Sequence, residues 1–95
     1  MTYELEFDKR ALKEWNKLGD TVKLQFKKKL AEILVNPRVE VNRLRELPDC
    51  YKIKLRTAGY RLIYQVQDEK ITVFVVSIGK REREAVYRDA DKRLP

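Results

Sequence analysis

The chain has 95 residues, with 22 lysines and arginines against 15 acidic residues and a formal net charge of +7 at pH 7. Its length predicts one domain over residues 1–95, and its 43% hydrophobic content predicts a packed core. It contains no histidine and one cysteine, Cys50, which argues against a Ser-His-Asp triad, the common zinc sites and an internal disulfide. We therefore expect no metal and no cofactor, so that any catalysis must use lysine, arginine, tyrosine or carboxylate groups.

The positive charge predicts a polyanionic partner such as a nucleic acid, or an acidic protein that masks the charge. A basic surface without any ligand is the third possibility. We find neither a secretory leader pattern nor an apolar run of the roughly 20 residues that a membrane-spanning helix needs. Together with the single cysteine, this predicts a cytoplasmic protein with no membrane contact.

The first third of the chain predicts a strand followed by two helices. Residues 2–7 alternate apolar and polar side chains, as a half-buried strand does. Asp8 is expected to cap the first helix and Gly19 to end it, while Pro37 ends the second. The apolar residues of the two helices recur at helical spacing and should face the core: Ala11, Leu12, Trp15 and Leu18, then Val22, Phe26, Leu30, Ile33 and Leu34.

The stretch YKIKLRTAGYRLIYQV, residues 51–66, predicts a β-hairpin with an unusual surface. Its first strand places apolar side chains on one face and Lys52, Lys54 and Arg56 on the other. Strand pairing about a turn of roughly three or four residues should bring Lys54 close to Arg61. Several cations side by side repel one another, which suggests that an anion normally lies among them.

The hairpin follows an irregular segment, residues 37–50, and precedes a third strand. Residues 71–78, ITVFVVSI, are apolar on both faces and predict a buried central strand that Gly79 ends. A charged C-terminal helix should then dock through Val86 and Ala90. The expected order is β-α-α-β-β-β-α, an α+β fold with an antiparallel sheet, an N-terminal helical hairpin and a C-terminal helix.

Basic side chains from different elements should converge on one surface. If the anion is an RNA phosphodiester, the ribose 2′-OH is the nucleophile, and the protein must supply a base, phosphate stabilisation and an acid. A lysine among other cations has a lowered pKa and can accept a proton, arginines can hold the phosphate, and a nearby tyrosine can share the base role or stack on a nucleobase. The residues that should converge are Lys52, Lys54, Arg61, Arg81 and Tyr87, with Arg45 from the irregular segment.

LPDCYKIKLRTAGYRLIYQV, VVSIGKRER and the following Tyr87 resemble the RelE family of the RelE/ParE toxin superfamily, and the resemblance covers essentially the whole chain. It implies a RelE/ParE-like, microbial-RNase-like fold and a toxin of a type II toxin–antitoxin system. Such toxins are ribosome-dependent mRNA interferases that cut mRNA in the ribosomal A site. The reaction proceeds by 2′-OH attack and leaves a 2′,3′-cyclic phosphate and a 5′-OH.

The resemblance also implies a role for each site residue. Lys52 and Lys54 match the active-site lysines, Lys54 being the proton carrier. Arg61 matches the arginine that stabilises the transition state, Arg81 the arginine that serves the leaving group, and Tyr87 the tyrosine that orients or stacks on the mRNA. We expect the remaining basic residues to contact RNA or the ribosome: Arg45, Arg56, Lys80 and Arg83.

The implied partners are mRNA and 16S rRNA in the 70S ribosomal A site and a RelB-like antitoxin, with operator DNA bound only through the toxin–antitoxin complex. The antitoxin is expected to wrap the toxin and to displace or block the last helix. Two alternatives stay open: a ParE-type toxin without nuclease activity that acts on DNA gyrase, and a plain RNA- or ribosome-binding module. The lysine, arginine and tyrosine set favours the nuclease.

Overall fold

A computed structural model describes residues 2–56, 58–80 and 85–94 of the chain. Within these ranges the order is β-α-α-β-β-β-α, so the predicted fold class is confirmed. Two short 3-10 turns, Glu40–Asn42 and Asp68–Lys70, lie in the connections. The strands and helices are β1 Glu4–Phe7, α1 Lys9–Asn16, α2 Asp20–Val35, β2 Cys50–Leu55, β3 Tyr60–Gln67, β4 Thr72–Lys80 and α3 Ala85–Arg93.

The four strands form one sheet in the order β1-β4-β3-β2. β2, β3 and β4 are an antiparallel meander, as predicted, whereas β1 adds to the far edge of β4 in parallel. This makes β4 a central strand, and every residue from Thr72 to Ile78 except Phe74 is buried. A strand paired on both edges and covered on both faces needs apolar side chains throughout, which explains its composition.

The larger core lies between one face of the sheet and helices α1 and α2. Trp15 of α1 packs against both β1 and α2. Its ring lies 5.5 Å from that of Phe7 on β1 and 6.2 Å from that of Phe26 on α2. The alternation of β2 places Tyr51, Ile53 and Leu55 in this core and leaves the intervening lysines on the other face. The buried helical residues are Ala11, Leu18, Phe26, Leu30 and Ile33, with Trp15, Val22 and Leu34 partly buried against them, whereas Leu12 is 45% exposed.

A smaller core lies on the opposite face of the sheet beneath α3. Val86 and Ala90 are buried there, so the predicted docking residues are confirmed. Cys50 is fully buried in the same cluster. Gly79 does not end the strand as expected, because β4 continues to Lys80. A Cβ at position 79 would lie 3.3 Å from the Cβ of Val86, so glycine allows the helix to approach the strand closely.

The ends of α1 confirm one expectation and correct another. Asp8 caps the helix, since its side chain accepts a hydrogen bond of 2.8 Å from the backbone N–H of Arg10. Gly19 was expected to end α1, but the helix already ends at Asn16 and Gly19 is the N-cap of α2. Gly19 has a φ of −67°, an extended conformation rather than the left-handed one of a helix-ending glycine, so it opens the next helix instead. None of the helices in the described residues is both long enough and apolar enough to cross a membrane.

Candidate active site

The hairpin register brings Lys54 and Arg61 directly opposite one another, as predicted. β2 ends at Leu55, β3 begins at Tyr60, and the N–H of Gly59 donates to the carbonyl oxygen of Leu55 at 2.9 Å. Gly59 has a φ of +69°, a left-handed conformation in which glycine carries no steric penalty. The turn therefore determines the pairing that places an amine and a guanidinium side by side.

One groove brings together three predicted cations and the predicted tyrosine: Arg45 from the loop, Lys52 and Arg61 from the sheet, and Tyr87 from α3 all line it. The loop is held against β2 because the N–H of Leu44 donates to the carbonyl oxygen of Cys50 at 2.9 Å. The structure thus brings these four of the predicted residues together in one groove.

Arg61 and Tyr87 are in direct contact across the groove. The Nη1 of Arg61 donates a hydrogen bond to the hydroxyl of Tyr87, and its Cζ lies 5.6 Å from the centre of the tyrosine ring. The Nε of Arg61 is buried and has no hydrogen-bond partner among the described residues. The protein thus orients this guanidinium without neutralising it, since no carboxylate of the described residues forms an ion pair with Arg61. Such a group is suited to bind phosphate oxygens.

Lys54 is exposed, yet its pKa is lowered. The main cause is the positive charge of Lys52, followed by a side-chain hydrogen bond with Lys52 and by desolvation, with a smaller effect of Arg61. Crowding of like charges favours the neutral amine, the form that can accept a proton, so at a given pH a larger fraction of Lys54 is neutral than of an isolated lysine.

The remaining predicted residues are spread more widely. Lys54 and Arg56 line a depression next to the groove. Lys52 lines both, so the two lysines share this depression while Lys52 also reaches the groove. Lys80 does not line the groove. It lies in a separate depression formed by Glu14 of α1 and by residues of β4 and α3. Arg81 and Arg83 fall outside the described residues.

Sequence reasoning missed several polar residues of the groove. Asp91 lies one turn after Tyr87 on α3, so helical spacing was the signal that would have found it. Glu46 and Arg43 come from the loop, whose irregular course gives no such signal. The full set of missed polar lining residues is Arg43, Glu46, Arg88 and Asp91. Among the described residues no group of three or more aspartate, glutamate or cysteine side chains is arranged to hold a metal ion.

Comparison with known proteins identifies the class to which this fold and site belong. The family model described as the ParE toxin of type II toxin-antitoxin system, parDE, matches residues 5–85. The chain is therefore a member of this toxin family.

Relatives define its place within the family. The mRNA interferase toxin RelE of Escherichia coli (strain K12) is 66% identical over 94 residues, which cover 99% of this chain and 99% of that protein. A putative RelE-like toxin protein of Escherichia coli is 49% identical over the same shares of both chains. The chain belongs with the RelE toxins of the RelE/ParE superfamily.

Solved structures agree with this placement. An E. coli RelE double mutant in the free state superposes with a TM-score of 0.93 at 63% identity, covering 100% of both chains. The intact E. coli RelBE toxin-antitoxin complex contains a chain with a TM-score of 0.82 at 68% identity, covering 85% of this chain and 99% of that one.

Proposed function

We propose that this chain is the toxin of a type II toxin–antitoxin system and an mRNA interferase, an endoribonuclease that cleaves mRNA in the ribosomal A site. The observation that carries the proposal is the cross-strand pairing of Lys54 with Arg61. Lys52 lies near Lys54, and Arg61 contacts Tyr87. These groups supply a proton acceptor and a phosphate-binding guanidinium within one surface. The RelE relatives, which are named mRNA interferases, support the choice of substrate.

The proposed reaction begins with the ribose 2′-OH. The neutral amine of Lys54 takes the 2′-OH proton while the 2′-oxygen forms a bond to phosphorus. The bond between phosphorus and the 5′-oxygen breaks, the 5′-oxygen gains a proton, and a 2′,3′-cyclic phosphate and a 5′-OH result. Arg61 binds the charged phosphate oxygens as they crowd in the transition state. The resemblance implies that Arg81 serves this leaving group.

The composition of the site supports dependence on the ribosome. The chain contains no histidine, so the proposed site lacks the usual acid–base residue of a free-standing ribonuclease. In-line attack requires the 2′-oxygen, phosphorus and 5′-oxygen to be aligned, which is worth several powers of ten in rate. A protein without its own means of bending the RNA gains this alignment from the ribosomal A site. Arg45 and Arg56, both exposed, are placed to contact mRNA or 16S rRNA phosphates.

The proposed protein partner is a RelB-like antitoxin. E. coli RelE is known in the intact RelBE complex and, as a mutant, in complex with an antitoxin peptide. The net charge of +7 favours an acidic partner that covers the basic groove. Operator DNA would then be bound through the complex rather than by this chain alone, and the toxin would act in the cytoplasm, where ribosomes are.

The ParE-type alternative has one observation in its favour, the name of the family model that matches residues 5–85. That match ends before Tyr87, whereas the relatives named RelE span 99% of the chain. A toxin that acts on DNA gyrase without cutting RNA has no need for a lysine with a lowered pKa opposite an arginine.

The experiment that tests the proposal compares one mRNA in two states. Purified protein is added to the mRNA free in solution and to 70S ribosomes programmed with the same mRNA and an empty A site, and the ends are mapped by primer extension. We expect rapid cleavage within the A-site codon on the ribosome, with cyclic phosphate and 5′-OH ends, and slow cleavage in solution. Equal rates would overturn ribosome dependence. Inhibition of DNA gyrase without RNA cleavage would establish the ParE-type alternative.

A further inference from the structure

Helix α3 is tied to the body of the protein by a bidentate ion pair whose two residues are not among the described residues that line the groove. The Nη1 and Nη2 of Arg93 lie 2.8 and 3.2 Å from the two carboxylate oxygens of Glu14 on α1, 79 positions away in the sequence. The side chain of Arg93 is only 9% exposed and that of Glu14 is 28% exposed. A largely desolvated pair with two parallel hydrogen bonds is among the stronger polar contacts a protein makes.

The same two side chains complete the edge of the central strand. β1 pairs with β4 only as far as Val75, and the β3–β4 register shifts so that Val76 is an extra, bulged residue. Beyond the end of β1, the carbonyl oxygen of Val76 accepts from Arg93 at 2.9 Å, and the N–H of Ile78 donates to Glu14 at 3.1 Å. The ion pair therefore supplies the hydrogen bonds that a longer β1 would have made.

This attachment bears on Tyr87 because α3 is short. Its nine residues are too few for a stable isolated helix, so its position depends on contacts with the rest of the protein. One anchor lies at its start, where the hydroxyl of Ser77 donates to the carbonyl oxygen of Val86 at 2.6 Å. The other is Arg93 near its end, roughly 9 Å along the axis from Tyr87.

We propose that Glu14 and Arg93 are positioning residues that hold α3 so that the hydroxyl of Tyr87 meets Arg61. Neither is among the described residues that line the groove, so both act through the helix. The inference rests on the proposed function for its catalytic consequence, while its structural part concerns the free protein alone.

The structural part is tested by amide hydrogen exchange of the free protein, measured by NMR. Glu14→Gln removes the carboxylate that crosses to α1, and the matched control Asp89→Asn removes a carboxylate that pairs with Arg93 at 3.6 Å within α3 itself. We expect the α3 amides and that of Ile78 to exchange about tenfold faster in Glu14→Gln, with the amides of β3 unchanged. Equal α3 exchange in the two variants would overturn the proposal. Should Glu14→Gln unfold globally, Arg93→Lys, which keeps the charge but loses the bidentate geometry, takes its place.

The catalytic part is tested by a double-mutant cycle on ribosomal cleavage under single-turnover conditions. Glu14→Gln should slow cleavage about tenfold in the wild-type background and less than about twofold in a Tyr87→Ala background, because no tyrosine is then left to position. Equal slowing in both backgrounds would show that Glu14 does not act through Tyr87. A wild-type protein that fails to cleave refutes the proposed function, whereas the exchange experiment still decides whether the ion pair holds α3.

Discussion

Lys54 and Arg61 lie directly opposite one another in the β2–β3 pair, and Arg61 in turn contacts Tyr87 on α3. An amine, a guanidinium and an aromatic ring thus follow one another across three elements. Lys52, two residues before Lys54 on the same strand, is the main cause of the lowered pKa of Lys54. The arrangement makes the effect of each side chain separable by substitution.

Replacing Lys54 by alanine should abolish most of the cleavage activity without unfolding the protein. We expect cleavage on programmed ribosomes to slow by about 10² to 10⁴-fold for Lys54→Ala, the range typical of a lost general base. Because Lys54 is exposed, the free energy of unfolding of the Lys54→Ala variant in urea should stay near the wild-type value. Lys13→Ala, an exposed lysine of α1, is the matched control and should cleave normally. Wild-type rates in Lys54→Ala would refute its role as the base.

Replacing Lys52 by glutamine should raise the pKa of Lys54. The positive charge of Lys52 lowers that pKa from its ordinary value of 10.5, so removing the charge returns it toward 10.5. At neutral pH less of Lys54 is then the neutral amine, and the rising limb of the pH–rate profile moves to higher pH. The direct measurement is a ¹³C NMR titration of the lysine ε-carbons in the free protein. An unchanged Lys54 titration in Lys52→Gln would contradict the assigned cause.

Two substitutions of Tyr87 separate its hydroxyl from its ring. Tyr87→Phe removes the oxygen that accepts from Arg61, while Tyr87→Ala also removes the ring that lies 5.6 Å from the Arg61 Cζ. We expect single-turnover cleavage to slow in both variants and about 5- to 150-fold more in Tyr87→Ala, because base stacking is worth about 1–3 kcal/mol. Equal losses would assign the whole effect to the hydroxyl.

The thiol of Cys50 should be inert in the native protein. It is fully buried, and burial, with a smaller effect of Asp49, raises its pKa to about 12. Because the thiolate is the reactive form, labelling with iodoacetamide at pH 8 should occur only through unfolding and should accelerate in urea in parallel with the loss of structure. Mass spectrometry follows the label. Rapid modification of the native protein would contradict this burial.

The Asp8 cap should make stability depend on acid. A side-chain hydrogen bond from Arg10 lowers the pKa of Asp8 below its ordinary 3.8. A lowered pKa in the folded state means that the contribution is complete above about pH 4 and is lost as the pH falls through the folded-state pKa. Asp8→Ala should cost about 1 kcal/mol at pH 7 in urea denaturation. Asp8→Asn, which still caps but carries no charge to pair with Arg10, should be less stable than the wild type at pH 7 and show a weaker loss in acid. A loss in acid as steep as that of the wild type would contradict the role of Asp8.

Features with short-range causes could be predicted from the sequence. Alternation in residues 51–55 determines which side chains of β2 face the core, and the short turn determines that Lys54 faces Arg61. The apolar character of residues 72–78 is enough to indicate a central strand. Asp8 caps α1 through a contact within two residues. In each case the physical cause lies within a few positions of the chain.

Other features were decided by the tertiary structure alone. β1 pairs in parallel with β4, which no local pattern specifies, and Gly79 lies inside a strand because a helix packs against it. The sequence alone determined the basic hairpin and the pairing of its two strands, because alternation and turn length are local. The direct hydrogen bond between Arg61 and Tyr87 depends on where α3 packs, and its contacts include the pairing of Arg93 with Glu14, 79 positions away. Bringing such distant segments together lowers the conformational entropy of the chain, and packing and hydrogen bonds spread over the whole sheet offset that loss.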